Sequence, residues 1–132
     1  MKKLIVMATM LLTACAAQQA REAASNRDGA RIHTELGAGY YQQNQMGIAL
    51  DQFTEATKID PGYALAYNGL GLVYGKLGED AKADASYKKS LQLEPGNPES
   101  HNNYGTFLCS RNRIDESIVQ FNDAVRDPLY TT

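Results

Sequence analysis

The sequence predicts an all-α fold, a solenoid of three helix-turn-helix units in tandem. The first observation is a 34-residue period that begins at residue 30. The second is that apolar and small residues recur three and four positions apart within each unit, as on one face of a helix. The third is a proline near the end of each unit. These observations place the three units in residues 30–63, 64–97 and 98–132.

The first element, residues 1–14, has the pattern of an export signal. Lys2 and Lys3 precede an apolar run from Leu4 to Leu12, which the small residues Thr13 and Ala14 follow. A positive start, a short apolar run and small residues are typical of a secretory signal peptide. The run is too short to span a bilayer, which takes about 20 residues.

The segment Leu12-Thr13-Ala14-Cys15 resembles the signal of bacterial lipoproteins. The resemblance implies that Cys15 becomes the first mature residue and is acylated on its thiol and on its new amine. Two acyl chains anchor a protein firmly, at about 0.8 kcal/mol per buried methylene. Ala16 stands where enteric-type bacteria have the aspartate that resembles an inner-membrane retention signal, which favours the periplasmic face of the outer membrane. The alternative is a conventional signal peptide with an incidental cysteine.

Residues 15–29 are expected to form a flexible or weakly helical tether between the membrane and the repeats. They are rich in Ala, Gln, Arg and Asn and contain no aromatic residue. Such a composition favours a solvated linker over a packed element.

The charge balance excludes one large class of partner. Without residues 1–14 the chain has 118 residues, with 11 basic and 15 acidic side chains and a net charge of −4. A mildly acidic module has no basic excess with which to bind nucleic acid. Cys109 is the only cysteine besides Cys15, so no intramolecular disulfide is expected.

Each unit combines a glycine in its first helix with a large aromatic residue in its second. The glycines are Gly37, Gly71 and Gly105, and the aromatic residues are Phe53, Tyr87 and Phe121. A glycine inside a helix costs about 1 kcal/mol relative to alanine. Its recurrence therefore indicates that a neighbouring helix packs against bare backbone there, with the aromatic ring filling the space.

The turns and the ends of the helices also repeat. Asn44, Gly78 and Asn112 tolerate the left-handed backbone that a helix C-terminus needs. The second helix of the first unit carries Ala49, Phe53, Ala56 and Ile59 on one face. Asp60-Pro61, Glu94-Pro95 and Asp127-Pro128 end the second helices, because the residue before proline is disfavoured in a helix.

The residue types that usually support catalysis or metal binding have structural explanations here. His33 and His101 are 68 residues apart, which is twice the period, so packing is expected rather than a metal or general-base role. No His-Glu-x-x-His or Cys-x-x-Cys spacing occurs, and no metal or cofactor is predicted. Cys109 is expected to be a packed thiol, the alternative being a nucleophile.

The 34-residue helix-turn-helix period, with its glycine, alanine, aromatic and proline positions, resembles the tetratricopeptide repeat (TPR). The resemblance implies a right-handed solenoid without enzyme activity, whose first helices line a protein-binding surface. Register with the family places the expected partner-binding residues on that surface: Tyr41, Asn68, Leu72, Asn102 and Thr106. The alternative is a face that is only solvated.

Two segments of the third unit carry a more specific resemblance. His101-Asn102-Asn103-Tyr104-Gly105-Thr106-Phe107-Leu108-Cys109 and Asp127-Pro128-Leu129-Tyr130 are similar to the type IV pilus biogenesis and stability lipoproteins, the PilW/PilF family. That resemblance implies an outer-membrane adaptor, or pilotin, that binds the pilus secretin and supports secretin assembly and pilus stability. Family members carry about twice as many repeats, so the chain is expected to be truncated. The alternatives are a general TPR scaffold for another envelope machine and an envelope enzyme that uses Cys109.

The last predicted helix has an apolar face with nothing expected to cover it. A helix of about fifteen residues from Ile114 carries Ile118, Phe121 and Val125 three and four positions apart. Solenoids normally need a polar capping helix at such an end. This apolar edge is therefore expected to fray, to self-associate or to hold a partner. We expect concentration-dependent dimers, with the weakest amide-exchange protection in residues 114–126.

The lipoprotein signal generates the first testable prediction. We expect Cys15→Ala to block processing or to release the protein from membranes, because the acylated thiol is the proposed anchor. Mass spectrometry of the wild-type N-terminus should find Cys15 as the first residue and carrying acyl chains. An unmodified Cys15, or cleavage at another position, would exclude the anchor.

Overall fold

The computed structural model describes the backbone of residues 2–126 and the side chains of residues 14–126. Within this range the chain forms helices and no strand: α1 (Lys2–Gln42), α2 (Met46–Ile59), α3 (Ala64–Leu77), α4 (Asp80–Leu93), α5 (Pro98–Ser110) and α6 (Ile114–Ala124). The helices pair as α1–α2, α3–α4 and α5–α6, and the pairs stack through α2–α3 and α4–α5 contacts. The predicted all-α solenoid is confirmed. Asp127-Pro128-Leu129-Tyr130 and the two residues after it lie outside the described residues.

α1 includes residues 15–29, which the sequence predicts to be a flexible or weakly helical tether and which are helical here. They continue without a break into the first repeat, in a helix of 41 residues. No glycine or proline precedes Gly29, and alanine, glutamine and arginine extend a helix readily once packing has fixed its nucleus. No helix among the described residues is long and apolar enough to cross a membrane.

The end of this segment is attached to the repeats by specific contacts. A Cβ on Gly29 would lie 3.2 Å from Cγ2 of Ile59, and Ala30 is buried. The Arg27 guanidinium lies 5.4 Å from the centre of the Tyr63 ring. The first repeat therefore holds α1 from about residue 27 onwards.

The three turns within the helix pairs adopt the predicted left-handed backbone. Asn44 and Asn112 have φ of 60°, and Gly78 has φ of 76°. In each turn a backbone N–H donates at 2.9 Å to a carbonyl five residues earlier, and the donors are Gln45, Glu79 and Arg113. This hydrogen bond satisfies a carbonyl at the end of the first helix, so the same turn recurs in all three pairs.

The prolines end the second helices where the sequence predicts, but α6 is shorter than expected. α2 and α4 end one residue before Asp60 and Glu94, whose φ of −132° and −133° is not helical. α6 has 11 residues and ends at Ala124, so Val125 lies beyond it. Val125 is 80% exposed, and most of the stability of a helix in a protein comes from the packing that this last turn lacks.

Phe53 shows how the pairs are joined. Its ring lies 2.9 Å from the position of a Cβ on Gly37 and 2.1 Å from that of a Cβ on Gly69. The ring is thus enclosed between the backbone of α1 and that of α3. Tyr87 and Phe121 contact Gly71 and Gly105 in the same way, at 2.7 and 2.8 Å, which confirms the predicted contact of aromatic ring and glycine.

The two histidines have the structural role that their shared register predicts. Nδ1 of His33 lies 2.8 Å from Oε1 of Gln52, and Nδ1 of His101 lies 2.8 Å from Oε1 of Gln120. Both bonds join the first helix of a pair to the second. Nε2 of His101 also lies 2.7 Å from the Pro95 carbonyl oxygen.

A charged cluster joins the second and third pairs. Oδ1 of Asp84 accepts hydrogen bonds from Tyr104 Oη at 2.6 Å and from Arg113 Nη1 at 2.8 Å, and Lys88 pairs with Oδ2. Burial raises the pKa of the Asp84 carboxyl, but the hydrogen bonds from Lys88, Tyr104 and Arg113 outweigh burial and lower the pKa to about 2. Burial and the Asp84 carboxylate raise the pKa of the Tyr104 hydroxyl.

The glycine contacts allow a matched pair of substitutions. Gly69→Ala should destabilise the fold by about 1–3 kcal/mol, because its Cβ meets a buried ring that cannot move aside. Gly39→Ala, also inside a helix but with no atom within 4 Å of its Cβ, should stabilise it by about 0.4–1 kcal/mol. Urea denaturation measures both. Equal free energies of unfolding would show that Phe53 does not pack on bare α3 backbone.

The Asp84 cluster predicts a specific pH dependence. A carboxyl whose pKa is lower in the folded state stabilises the fold above its unfolded pKa of about 3.9, and this stabilisation is lost as the pH falls toward 2. Asp84→Asn should therefore destabilise the protein by about 1.5–3 kcal/mol at pH 6, and the difference in melting temperature should shrink between pH 4 and pH 2. Asp51→Asn, at an exposed position of α2, should match wild type throughout. A pH-independent difference for Asp84→Asn would refute the ionic role.

Candidate protein-binding groove

A groove of about 340 Å³ lies among the first helices of the three pairs. Its walls come from α1, α3 and α5, with one ring from α4. The lining residues are Tyr41, Leu72, Gly75, Lys76, Tyr87, Asn103, Thr106, Phe107, Ser110 and Arg111. The groove is therefore assembled by stacking and belongs to no single repeat.

The repeat register explains why the groove opens at this point. Tyr41, Gly75 and Cys109 occupy the same position in the three units, 34 residues apart. Glycine at the middle position leaves the space that a side chain would fill. The Phe107 ring enters this space, 3.1 Å from the position of a Cβ on Gly75. Phe107 and Tyr87 are both buried and form an apolar floor.

The rim of the groove is polar and carries two basic side chains, of which Arg111 is paired with the Asp80 carboxylate. Arg111 is fixed by donating from Nε to Oδ1 of Asp80 at 2.8 Å and from Nη2 to the Gly75 carbonyl at 2.7 Å. Its guanidinium also lies 5.1 Å from the centre of the Phe107 ring. Lys76 is exposed, and none of the lining residues is acidic. The groove combines an apolar floor with two cations and the hydroxyls of Thr106 and Ser110.

The predicted partner-binding residues separate into three groups. Tyr41, Leu72 and Thr106 line the groove. Asn102 is exposed on α5 but does not line the groove. Its backbone carbonyl accepts a hydrogen bond from the Thr106 hydroxyl at 2.9 Å. Asn68 is 2% exposed, so it is not available to a partner in this structure.

Asn68 instead joins the second and third pairs. Its Nδ2 donates to Oε1 of Glu99 and its Oδ1 accepts from Nδ2 of Asn103, both at 3.3 Å. Burying a polar group without a hydrogen bond is costly, and these two bonds satisfy the amide. The physical reason for the correction is that α5 covers this position of α3.

The sequence does not predict most of the groove residues, and Asn103, Phe107 and Arg111 are examples. In the first unit, the position of Phe107 is Gly39 and the position of Asn103 is Glu35. Because these residue types differ, the period does not indicate that the position lines a groove. A glycine at position 75, where the other two units have Tyr41 and Cys109, is the sequence feature that could have located the opening.

The two cysteines are both exposed. Cys109 lies on α5 at the position of Tyr41 and Gly75, so the expectation of a packed thiol is wrong. Its position at the edge of the stacked first helices leaves its side chain uncovered. Cys15 lies on the part of α1 that precedes the repeats. Within residues 2–126, no group of three or more His, Cys, Asp or Glu side chains is placed to hold a metal ion.

Comparison with known families finds the tetratricopeptide repeat three times in this chain. A TPR repeat profile matches residues 37–78, and tetratricopeptide repeat profiles match residues 64–97 and 86–119. Together these matches extend from the glycine of the first pair into α6.

Two relatives cover most of the chain. An uncharacterized protein of Haemophilus influenzae is 30% identical over 120 residues, which are 91% of this chain and 66% of that protein. The type IV pilus assembly protein PilF of Pseudomonas aeruginosa is 35% identical over 105 residues, which are 79% of this chain and 42% of PilF. The chain therefore spans between two fifths and two thirds of the length of these relatives.

Two solved structures of type IV pilus proteins have the same fold. The structure of P. aeruginosa PilF has a TM-score of 0.76 at 31% identity, over 80% of this chain and 48% of PilF. The structure of PilW, described as a widely conserved type IV pilus biogenesis factor, has a TM-score of 0.69 at 34% identity. It covers 78% of this chain and 47% of PilW.

Proposed function

Because the chain belongs to the tetratricopeptide-repeat family and its relatives include PilF and PilW, we propose that it is a protein-binding adaptor of type IV pilus biogenesis. In this proposal it is a lipoprotein anchored through Cys15 at the periplasmic face of the outer membrane. It acts there as a pilotin, supporting assembly of the pilus secretin and stability of the pilus.

The groove is the observation that carries the binding role. Domains of this fold bind protein partners, including short peptides. The volume of about 340 Å³ lies at the lower end of the range of about 300–1,000 Å³ for ligand pockets. It suits a short segment of a partner rather than a folded surface.

The lining of the groove defines the chemistry of that segment. Tyr87 and Phe107 at the floor favour one bulky apolar side chain. Lys76 and Arg111 at the rim favour an acidic residue or free carbonyl groups beside it. We therefore expect the partner to present an apolar residue next to an acidic one, in a segment without regular backbone hydrogen bonds of its own.

The anchor gives the adaptor its mechanism. A lipid on Cys15 would confine the groove to one leaflet, which raises the effective concentration of a bound secretin subunit at that membrane. The repeats then need only a moderate affinity for each subunit.

This proposal predicts a loss of function from the groove alone. In the bacterium that encodes this chain, deleting its gene should lower outer-membrane secretin multimers and surface pili. Wild type should restore both, whereas Tyr41→Ala combined with Leu72→Ala should not, because the variant loses apolar contacts to the bound segment. Immunoblots of secretin multimers and counts of surface pili measure the outcome.

A matched substitution separates binding from folding. Leu77 lies on α3 like Leu72, is half exposed and does not line the groove. Leu77→Ala should restore secretin multimers and pili as wild type does. Full restoration by the Tyr41→Ala and Leu72→Ala variant would rule out the groove as the binding site, and normal multimers after the deletion would rule out the pilotin role.

A further inference from the structure

The second helix of the last pair carries an apolar face whose counterparts are covered in the other pairs. Ile114, Ile118 and Val125 are 45%, 51% and 80% exposed. Their apolar counterparts one or two periods earlier are Met46, Leu50 and Leu91, while the other counterparts are the polar Asp80, Asp84 and Thr57. Met46, Leu50 and Leu91 are partly buried, and each packs against a cluster that includes residues of the first helix of the following pair. Among the described helices, α6 packs only on α5.

The first helix carries the complementary face. Ile32 and Leu36 of α1 are 49% and 46% exposed. One period later their counterparts are Ala66 and Leu70, which are buried in clusters with Ala56 and Phe53 of the preceding pair. Two periods later the counterparts are Ser100 and Tyr104.

The α5 counterparts make direct contacts with the preceding pair. Oγ of Ser100 lies 2.8 Å from Oγ of Ser90. The Tyr104 ring stacks on the Tyr87 ring, with centroids 5.2 Å apart. The chain thus contains the same interface twice, between α2 and α3 and between α4 and α5. The two surfaces that a third such interface would join, on α6 and on α1, are both exposed.

Polar residues at the two exposed faces also match. Inside the chain, Asn68 donates to Glu99 and accepts from Asn103 across the stack. One period later, Asn68 corresponds to Asn102, which is exposed. Two periods earlier, Glu99 and Asn103 correspond to Arg31 and Glu35 of α1. Arg31 and Glu35 hydrogen-bond to each other at 2.8 Å. An amide can accept from Arg31 and donate to Glu35 beside that bond, so Asn102 has a fitting pair of partners on a second copy.

We propose that the protein associates head to tail, with α1 of one copy packing on α6 of another as α3 packs on α2 and α5 packs on α4. Ile32 is larger than Ala66 and Glu35 is larger than Gly69, so the two copies cannot approach as closely as the pairs within the chain. The contact is therefore weaker than the internal stack. It joins two different surfaces, so association does not close at a dimer and larger species form as the concentration rises.

Sedimentation velocity of the full chain in detergent with reductant tests this arrangement. Wild type should form dimers and larger species with increasing concentration. Leu36→Asp on α1 and Val125→Asp after α6 should each weaken self-association at least about tenfold, because a carboxylate in an apolar contact lacks a partner. An equimolar mixture of the two variants should form dimers and nothing larger, since one retains the α6 face and the other the α1 face.

Controls separate this contact from non-specific association through exposed apolar residues and from misfolding. Val119→Asp removes an apolar residue of α6 that is 55% exposed, but its counterparts Asp51 and Ala85 are exposed. It should associate like wild type. All the substituted residues are about half exposed or more, so melting curves should match wild type within a few degrees.

Three results would overturn the proposal. The first is a wild-type protein that stays monomeric at millimolar concentration. The second is a Leu36→Asp variant that dimerises alone while Val125→Asp does not, which would indicate a symmetric contact between two α6 faces. The third is a mixture of the two variants that fails to form dimers.

Discussion

The packing of a large aromatic ring against bare helix backbone is the contact on which the rest of this structure depends. Phe53 lies between Gly37 of its own pair and Gly69 of the next, so one ring fixes both the spacing within a pair and the spacing between pairs. Each glycine costs about 1 kcal/mol of helix propensity, and burial of a ring of this size, at about 25 cal/mol per Å² of apolar surface, outweighs that cost.

The close approach of the helices determines where polar groups must go. Once α3 and α5 lie against the preceding pairs, Asn68, Ser90 and Ser100 become buried, and each is satisfied by a partner on the neighbouring helix. The same approach brings Asp84 to Tyr104 and Arg113. The polar contacts therefore set the register of pairs that the rings and glycines have already brought together.

The period predicts the fold well because every unit must bury the same kinds of residue. It places Asn44, Gly78 and Asn112 in left-handed turns, and it gives His33 and His101 the same hydrogen-bonding role in their own units. It cannot distinguish positions that repeat in sequence but differ in their neighbours. Asn68 and Asn102 share a register, yet α5 buries Asn68 while Asn102 is exposed. Cys109 is exposed as well, and Arg111 has a role that its counterparts Gln43 and Leu77 do not share.

The continuous α1 helix changes what an N-terminal anchor would do. A flexible tether would let the repeats sample many orientations, whereas Arg27, Gly29 and Ala30 fix α1 against Tyr63 and Ile59. With Cys15 acylated as we propose, the 15 residues to Ala30 span about 22 Å at 1.5 Å per residue. That length is the greatest distance at which this segment can hold Ala30 from the leaflet, because the lipid leaves the tilt of the helix free. A bound secretin segment would have to lie within the reach that this helix allows, which makes the length of the helix, as well as the lining of the groove, a determinant of which partners can bind.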